Sequence, residues 1–213
     1  MDLKKQSFNA VFILITRSES MSLLEWQVDK TMYYLSHYSS PVGFLSLVAT
    51  DQSLVGLWIE GQKYFKSTLS DPPIEQENLP ILSMTKLWLD RYFAGEKPSI
   101  SELSLSPSGS EFRQTIWKIL CSIPYGQVMT YGEVAKEAAV ILKKGKISAQ
   151  AVGGAVGHNP ISIIIPCHRV IGANGSLTGY AGGIDKKQKL LELEGVDLLK
   201  IQREKKAKAA LQK

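Results

Sequence analysis

The sequence predicts a small α/β domain at the front of the chain, followed by a mainly α-helical domain containing a helix-turn-helix. Two changes of texture predict it. Residues 33–59 break into short β-rich pieces divided by turn residues, whereas residues 108–158 carry capping signals and apolar positions at helical spacing. Between them, Ser104-Leu105-Ser106-Pro107-Ser108-Gly109-Ser110 has the composition of a linker. The 213 residues thus divide into an N-terminal extension (1–31), an α/β domain (32–107), a helical domain (108–197) and a basic tail (198–213).

The extension shows no clear period, and Met21 and Met32 are both candidate internal starts. Residues 33–38, 43–49 and 54–59 follow as three strands joined by tight turns, which reads as an antiparallel meander. Residues 71–80 are Pro-rich and acidic, hence loop. From Ile81 to Phe93 helical spacing returns, with Leu82, Thr85, Leu87, Leu89 and Tyr92 near one broad face, ended by Gly95. Beyond the linker, Ser108 with Glu111 has capping-box spacing, and Phe112, Ile116, Ile119 and Leu120 keep the 3.6 period. Pro124 and Gly126 end that helix. Thr130 with Glu133 opens the next, and Ser148 is a natural N-cap for a third after the basic loop Lys143-Lys144-Gly145-Lys146. That third helix is odd. Gly153, Gly154 and Gly157 each cost ~1 kcal/mol relative to Ala in a helix interior, so something approaches the backbone closely, either a neighbouring helix or a nucleic-acid backbone.

Composition narrows the function. A chain that is 44% apolar and 21% charged, with mean hydropathy −0.04, is neither collagenous, disordered nor a disulfide scaffold. With only Cys121 and Cys167 and no Cys/His cluster, a metal site is not expected and a reducing, cytoplasmic setting is. Residues 8–16 outline a short signal segment, but no small-residue cleavage pattern follows, and the run meets Arg17 and Glu19. Nothing approaches the ~20 apolar residues of a membrane helix, so no membrane partner is expected. The net charge of +5 is unevenly spread: residues 1–110 carry 9 basic and 12 acidic side chains, residues 111–170 carry 7 and 3, and residues 200–213 carry 6 and 1. A basic second half beside an acidic first half suits a polyanionic partner, although a solvated lysine tail explains the last segment equally well.

The reactive candidate is Cys167-His168. Residues 161–165 read as a buried strand, stopped by Pro166, which cannot donate to a ladder. A thiol beside an imidazole is how a thiolate nucleophile is made. Successive strand side chains point to opposite faces, so His168 serves Cys167 only if the chain leaves strand geometry or a water bridges them. Cys121, one turn after Trp117, reads as core, as do Trp58, Trp88 and Trp117. His37 reads as structural, His158 as a helix cap or phosphate contact, and Arg169 as an ion-pair partner.

A wider succession surrounds this pair. Ile123-Pro124-Tyr125-Gly126, Thr130-Tyr131-Gly132-Glu133-Val134-Ala135, Ala151-Val152-Gly153-Gly154-Ala155, Asn159-Pro160, Pro166-Cys167-His168-Arg169-Val170, Gly179-Tyr180-Ala181-Gly182-Gly183 and Leu193-Glu194-Gly195 occur in order. Together they closely resemble the O6-alkylguanine-DNA alkyltransferases, also called methylated-DNA–protein-cysteine methyltransferases. The likeness spans about residues 33–197 and is densest over 112–195.

That resemblance implies a ribonuclease-H-like front domain carrying no chemistry. It implies DNA repair by direct reversal, with one irreversible transfer of an alkyl group from O6 of guanine, or from O4 of thymine, to Cys167. His168 would act as base through a water, Glu194 would polarise His168, and Asn159 would tie the DNA-binding helix to the active-site segment. Tyr131 would protonate the departing guanine and assist its extrusion. Val170, Tyr180 and Ala181 would line the guanine pocket, and Lys146, Gln150, Ala151, Gly153 and Gly154 would meet the DNA. The partner would be double-stranded DNA carrying the lesion, the protein a monomer, and no cofactor is implied, because the lesion itself donates the alkyl group. Two features depart from the family pattern. Gln150 stands where many members have an arginine, and Tyr131 and Gln150 are 19 positions apart, a longer turn than expected. A cysteine hydrolase would need an oxyanion hole that the sequence does not offer. A regulator or lesion-binding protein without transfer activity would have no use for Cys167.

Overall fold

Turns at Pro41-Val42 and Asp51-Gln52 fold the front of the chain into the expected meander: β1 (Tyr34–Ser40), β2 (Gly43–Ala49) and β3 (Leu54–Ile59), each antiparallel to the next. The structure is a computed structural model and describes residues 31–210; the notional extension lies almost wholly outside the described residues. A fourth strand, β4 (Ile74–Glu75), pairs parallel to β1, giving the order β3-β2-β1-β4. It lies inside the stretch read as loop. Two residues are too few to show alternation, and Tyr33 and Leu35 hold it through main-chain bonds that no side chain announces.

Alternation places Leu45, Leu47, Leu57 and Ile59 on one buried face and Leu35, Val48 and Trp58 on the other, which Val55 joins through the register shift at Val48/Ala49. Gly56 is obligatory there, because a Cβ would lie 2.0 Å from the Trp58 ring. Helix α1 (Pro80–Phe93) packs Ile81, Leu82, Thr85, Trp88, Leu89 and Tyr92 inward. Leu87, assigned to that face from sequence, is 63% exposed. It lies about 200° around the helix from Thr85, on the opposite side.

The linker is not a free connection. Leu54 donates its N–H to Ser104 O (2.9 Å) and accepts at its carbonyl from Ser106 N (2.9 Å). Leu57 repeats the pattern with Pro160 O (2.8 Å) and Ser162 N (2.8 Å). The outer edge of β3 is therefore covered by the end of the front domain (104–106) and by residues 160–162 of the second half, which satisfies groups that an open edge would expose. Front and rear halves consequently share one apolar core, running from Leu45 and Leu57 through Trp88 to Ile116, Val152 and Ile164.

Helix α2 (Glu111–Ser122) is capped by Ser110, not Ser108. Strand β5 (Met129–Thr130) leads to α3 (Tyr131–Ile141), which has a full Thr130/Glu133 capping box. Ser148 caps α4 (Ala149–Gly157). These three helices bury Ile116, Leu120, Val134, Ala138, Val152 and Val156. Residues 161–165, expected as a strand, form a single bridge to Leu57 and then turn, with Ile163 at φ +72°. An apolar run alone does not separate a strand from a buried turn; the Asn159 side chain takes the bonds that a ladder would have used. A 3-10 turn (Cys167–Arg169), β6 (Val170–Ile171, parallel to β5), α5 (Ile184–Leu193) and α6 (Leu198–Ala210) complete the chain. The first turns of α6 lie against Gly175, whose carbonyl accepts from Gln202 Nε2 (3.3 Å).

Trp117 Nε1 donates to Ala155 O (3.0 Å), a carbonyl in the last turn of α4 where helical partners run out. Trp117→Phe keeps most of the ring and strands that carbonyl. Urea denaturation should show a loss of about 1–3 kcal/mol; an unchanged midpoint would mean that the bond contributes nothing.

Candidate active site

Cys167 owes its position to Asn159. Immediately after α4, the Asn159 carboxamide accepts from Ile161 N (3.0 Å) and donates to Ile161 O (3.3 Å), Ile165 O (2.8 Å) and Cys167 Sγ (3.1 Å). Pro166 (ψ 63°) then breaks the extended path, and the 3-10 turn sends Cys167 and His168 in different directions. The thiol is hydrogen-bonded by Asn159 rather than by His168.

His168 instead points to Glu194, the C-cap residue of α5: its Nε2 lies 2.7 Å from Oε1. A carboxylate only accepts, so Nε2 carries the proton and Nδ1 presents its lone pair. Nδ1 is buried and, among the described residues, has no hydrogen-bond partner. Glu194 is saturated with donors. Arg169 gives Nε to Oε2 (2.9 Å) and NH2 to Oε1 (2.9 Å), Gly126 N reaches Oε2 (3.1 Å), and Tyr92 Oη donates to Oε1 (2.8 Å). Arg169 also binds Ile123 O (2.6 Å), the structural role expected of it. Tyr92 was not anticipated. It comes from α1, so the front half, expected to carry no chemistry, touches the relay directly.

The electrostatics follow from burial and partners. Burial raises the Cys167 thiol, against the Asn159 hydrogen bond and the positive charge of Lys187, so the free protein holds a thiol. Burial lowers His168, against the pull of Glu194, so the imidazole is neutral. Burial alone would raise Glu194, but the hydrogen bonds and charges of His168 and Arg169 outweigh it and hold the carboxyl at about 2. Lys187, fully buried on α5, donates to Val170 O (2.5 Å) and Thr178 O (3.0 Å). Burial pulls it down to about 8, partly offset by Cys167. Sequence reasoning missed it. In Asp185-Lys186-Lys187-Gln188-Lys189 only the phase of α5 distinguishes it from its exposed neighbours.

Around the thiol, Tyr131 Oη donates to Thr178 O (2.9 Å), and burial lifts the phenol to about 12. A Cβ on Gly179 (φ +70°) would lie 2.9 Å from that oxygen. Tyr180 is buried with an unpartnered hydroxyl and senses Cys167 electrostatically. Val170 is buried, and both its backbone groups are engaged, N–H with Cys167 O and C=O with Lys187. Ala181 O accepts from Lys63 N (3.1 Å). A cavity of about 520 Å³ borders Tyr92, Tyr125 and Arg169 but not Cys167.

The candidate DNA-facing residues form a second group. Gln150, Ala151 and Gly154 are exposed on α4, Gly153 is half-buried, and Lys146 is exposed in the turn before it. A Cβ on Gly153 would come no closer than 3.9 Å to Tyr131, and one on Gly154 or Gly157 would meet nothing within 4 Å among the described residues. Packing against the described residues does not require these glycines. His158 closes the helix, with Nδ1 2.7 Å from Gly154 O, and stacks on Tyr64 at 3.9 Å. His37 pairs with Glu75, and Cys121 is half-buried against the core. Among the described residues no cluster of His, Cys, Asp and Glu could hold a metal, and no helix is long and apolar enough to cross a membrane.

Family models match both halves. Residues 32–107 match the ribonuclease-like domain of 6-O-methylguanine DNA methyltransferase, and residues 111–196 match its DNA binding domain. The chain belongs to the 6-O-methylguanine DNA methyltransferase family. The fold is that family's pairing of an N-terminal ribonuclease-like domain with a helical DNA-binding domain. The methylated-DNA–protein-cysteine methyltransferase of Haemophilus influenzae is 40% identical over 166 residues, 78% of this chain and 88% of that protein. That of Methanosarcina acetivorans is 42% identical, covering 77% and 99%. Among solved structures of the family, Mycobacterium tuberculosis OGT in complex with DNA is 41% identical, covers 76% of this chain and 93% of its own, and superposes with TM-score 0.63.

A family member held together around a depressed carboxyl has a predictable acid limit. Glu194 stabilises the fold while ionised, so its contribution is complete above the ordinary value of 4.5 and is lost as pH falls towards about 2. Denaturant melts of wild type should weaken across that window. Glu194→Gln should be less stable at pH 7 and lack that component of the acid loss; parallel pH curves would refute the assignment.

Proposed function

We propose that this methyltransferase repairs DNA by moving an alkyl group from O6 of guanine onto Sγ of Cys167, once per molecule. What carries the assignment is Cys167 hydrogen-bonded by Asn159, next to a neutral His168 whose partnerless Nδ1 is free to take a proton while Glu194 secures Nε2. The thiol proton passes to Nδ1, through a water where the two do not touch. The thiolate attacks the alkyl carbon, the S–C bond forms, and the C–O bond breaks with its electron pair retained by O6. Tyr131, kept protonated by burial, protonates the guanine that leaves. The thioether has no route back to thiol, so turnover stops at one. No cofactor enters this balance.

Lys187 supports the same chemistry. Its charge opposes the cost of a buried thiolate, and its two carbonyl bonds fasten Val170 to the loop at Thr178. Val170, Tyr180 and Ala181 line the guanine site, with the Ala181 N–H and the Tyr180 hydroxyl as available donors. A base inside a duplex is out of reach, so the nucleotide must swing out. We assign α3, the turn over 142–148 and α4 as a helix-turn-helix on the DNA, with Gln150, Ala151, Gly153 and Gly154 against the minor groove and Lys146 on phosphate. The side-chain-free surface at Gly154 and Gly157 suits that close approach. Residues 108–197 then hold the cysteine, its relay and the DNA surface, and residues 32–107 support them and reach the relay through Tyr92.

Intact mass after incubation with O6-methylguanine DNA should show one added methyl group per chain, on the peptide containing Cys167. Methyl on Cys121, or repeated turnover, would refute the proposal. Gln150→Arg restores a stacking surface and charge-assisted bonds of ~1.5–3 kcal/mol. Single-turnover transfer should therefore accelerate on duplex DNA and not on free O6-benzylguanine. Equal acceleration on both would place Gln150 in the pocket or the fold instead.

A further inference from the structure

The α/β domain reaches the transfer chemistry through a single hydroxyl. Tyr92 is 1% exposed near the end of α1, its ring stacked on Trp88 (5.4 Å) and edge-on to Phe93 and Tyr125 (5.2 and 6.0 Å). Its Oη lies 2.8 Å from Glu194 Oε1, the same oxygen that His168 Nε2 approaches at 2.7 Å, and 3.4 Å from Nε2 itself. We propose that Tyr92 is a positioning residue of the transfer reaction, which shares Glu194 Oε1 with His168 and thereby sets how strongly His168 holds the proton taken from Cys167. This rests on the role of His168 as base, given above.

The physical case is a competition for one acceptor. Each donor on Oε1 withdraws negative charge that would otherwise stabilise an imidazolium. Tyr92 stays a donor, because burial and the adjoining Glu194 charge push its phenol far above the ordinary range. Its hydroxyl therefore weakens the hold of Glu194 on a protonated His168 and keeps the imidazole neutral until a proton must be accepted. The other charges facing this site are Arg169 from the same turn and Lys187 from α5, both of which also disfavour the imidazolium. Tyr125 faces Glu194 from the segment after α2. Arg169 and Lys187 lie on elements of the rear half, and Tyr125 packs edge-on against Tyr92 itself. Among the described residues, the Tyr92 hydroxyl is the donor through which α1 reaches Glu194.

The test is the acid limb of single-turnover benzyl transfer from free O6-benzylguanine, which needs no base flipping. In Tyr92→Phe the carboxylate loses one donor, His168 binds protons more tightly, and the limb should move to higher pH by about half a unit, roughly threefold in proton affinity. Trp88→Phe breaks the bond to Ser99 O and loosens the same packing, but keeps the hydroxyl. It should lower the melting temperature and leave the limb in place. Superimposed limbs for wild type and Tyr92→Phe, or an equal shift in Trp88→Phe, overturn the proposal. The 15N titration of the His168 ring reads the same shift without any transfer. If wild type fails to alkylate Cys167 while that shift is present, the functional assignment fails and the coupling stands. The wild-type spectrum decides even if Tyr92→Phe does not fold. An Nε2–H tautomer is expected, whereas an Nδ1–H tautomer would turn Tyr92 towards Nε2 and overturn the proposal.

Discussion

The buried carboxylate of Glu194 is the constraint on which the rest of the active half depends. A charge taken out of water must be matched by donors in good geometry, or it destabilises the fold by several kcal/mol. Here the donors come from three places distant in sequence: Tyr92 of α1, Gly126 of the segment after α2, and His168 with Arg169 of the 3-10 turn, all meeting at the end of α5. Satisfying one carboxylate therefore fixes the relative positions of those elements. The residue that polarises His168 is also the one that assembles the site, so chemistry and folding are not separable at Glu194.

Asn159 is the second node. Its carboxamide replaces a strand ladder for residues 161–165, terminates in a hydrogen bond to the reactive sulfur, and follows directly on α4. One side chain thus stands between the end of that helix and the sulfur. Lys187 plays the corresponding part on the opposite side, tying Val170 to the loop at Thr178. With burial pushing the thiol up and the imidazole down, the free protein rests in its neutral state, thiol and imidazole. A neutral thiol is a poor nucleophile, which suits a protein that reacts once and must not spend its cysteine elsewhere.

The front domain is more than a cover. Its outermost strand is bonded to the domain's own residues 104–106 and to residues 160–162 of the second half, one core runs through both, and Tyr92 touches the relay. The contact of Tyr92 with Glu194 was not legible in the sequence, because Tyr92 there is only the last apolar position of an amphipathic helix. Nothing in its neighbours distinguishes a buried ring from a buried donor. The same blindness explains Lys187, one lysine among several.

The amino-acid order alone determined the elements whose causes are local. Proline, glycine and capping residues placed the meander and the helices at Thr130 and Ser148, and Pro166-Cys167-His168-Arg169 with Glu194 marked the reactive segment and its family. Where two local patterns compete, the sequence was indifferent. Residues 161–165 satisfy a strand pattern and a buried turn equally, and the Asn159 carboxamide, with the main-chain bonds from Ile164 N to Ser162 O and from Ile165 N to Ile161 O, holds the turn. Tertiary structure alone decided the convergence on Glu194, the open surface along the glycines of α4, and the burial of one particular lysine. Each is a relation between residues far apart in the chain, and such relations are set by which buried polar groups find partners, a condition that periodicity and propensity do not encode.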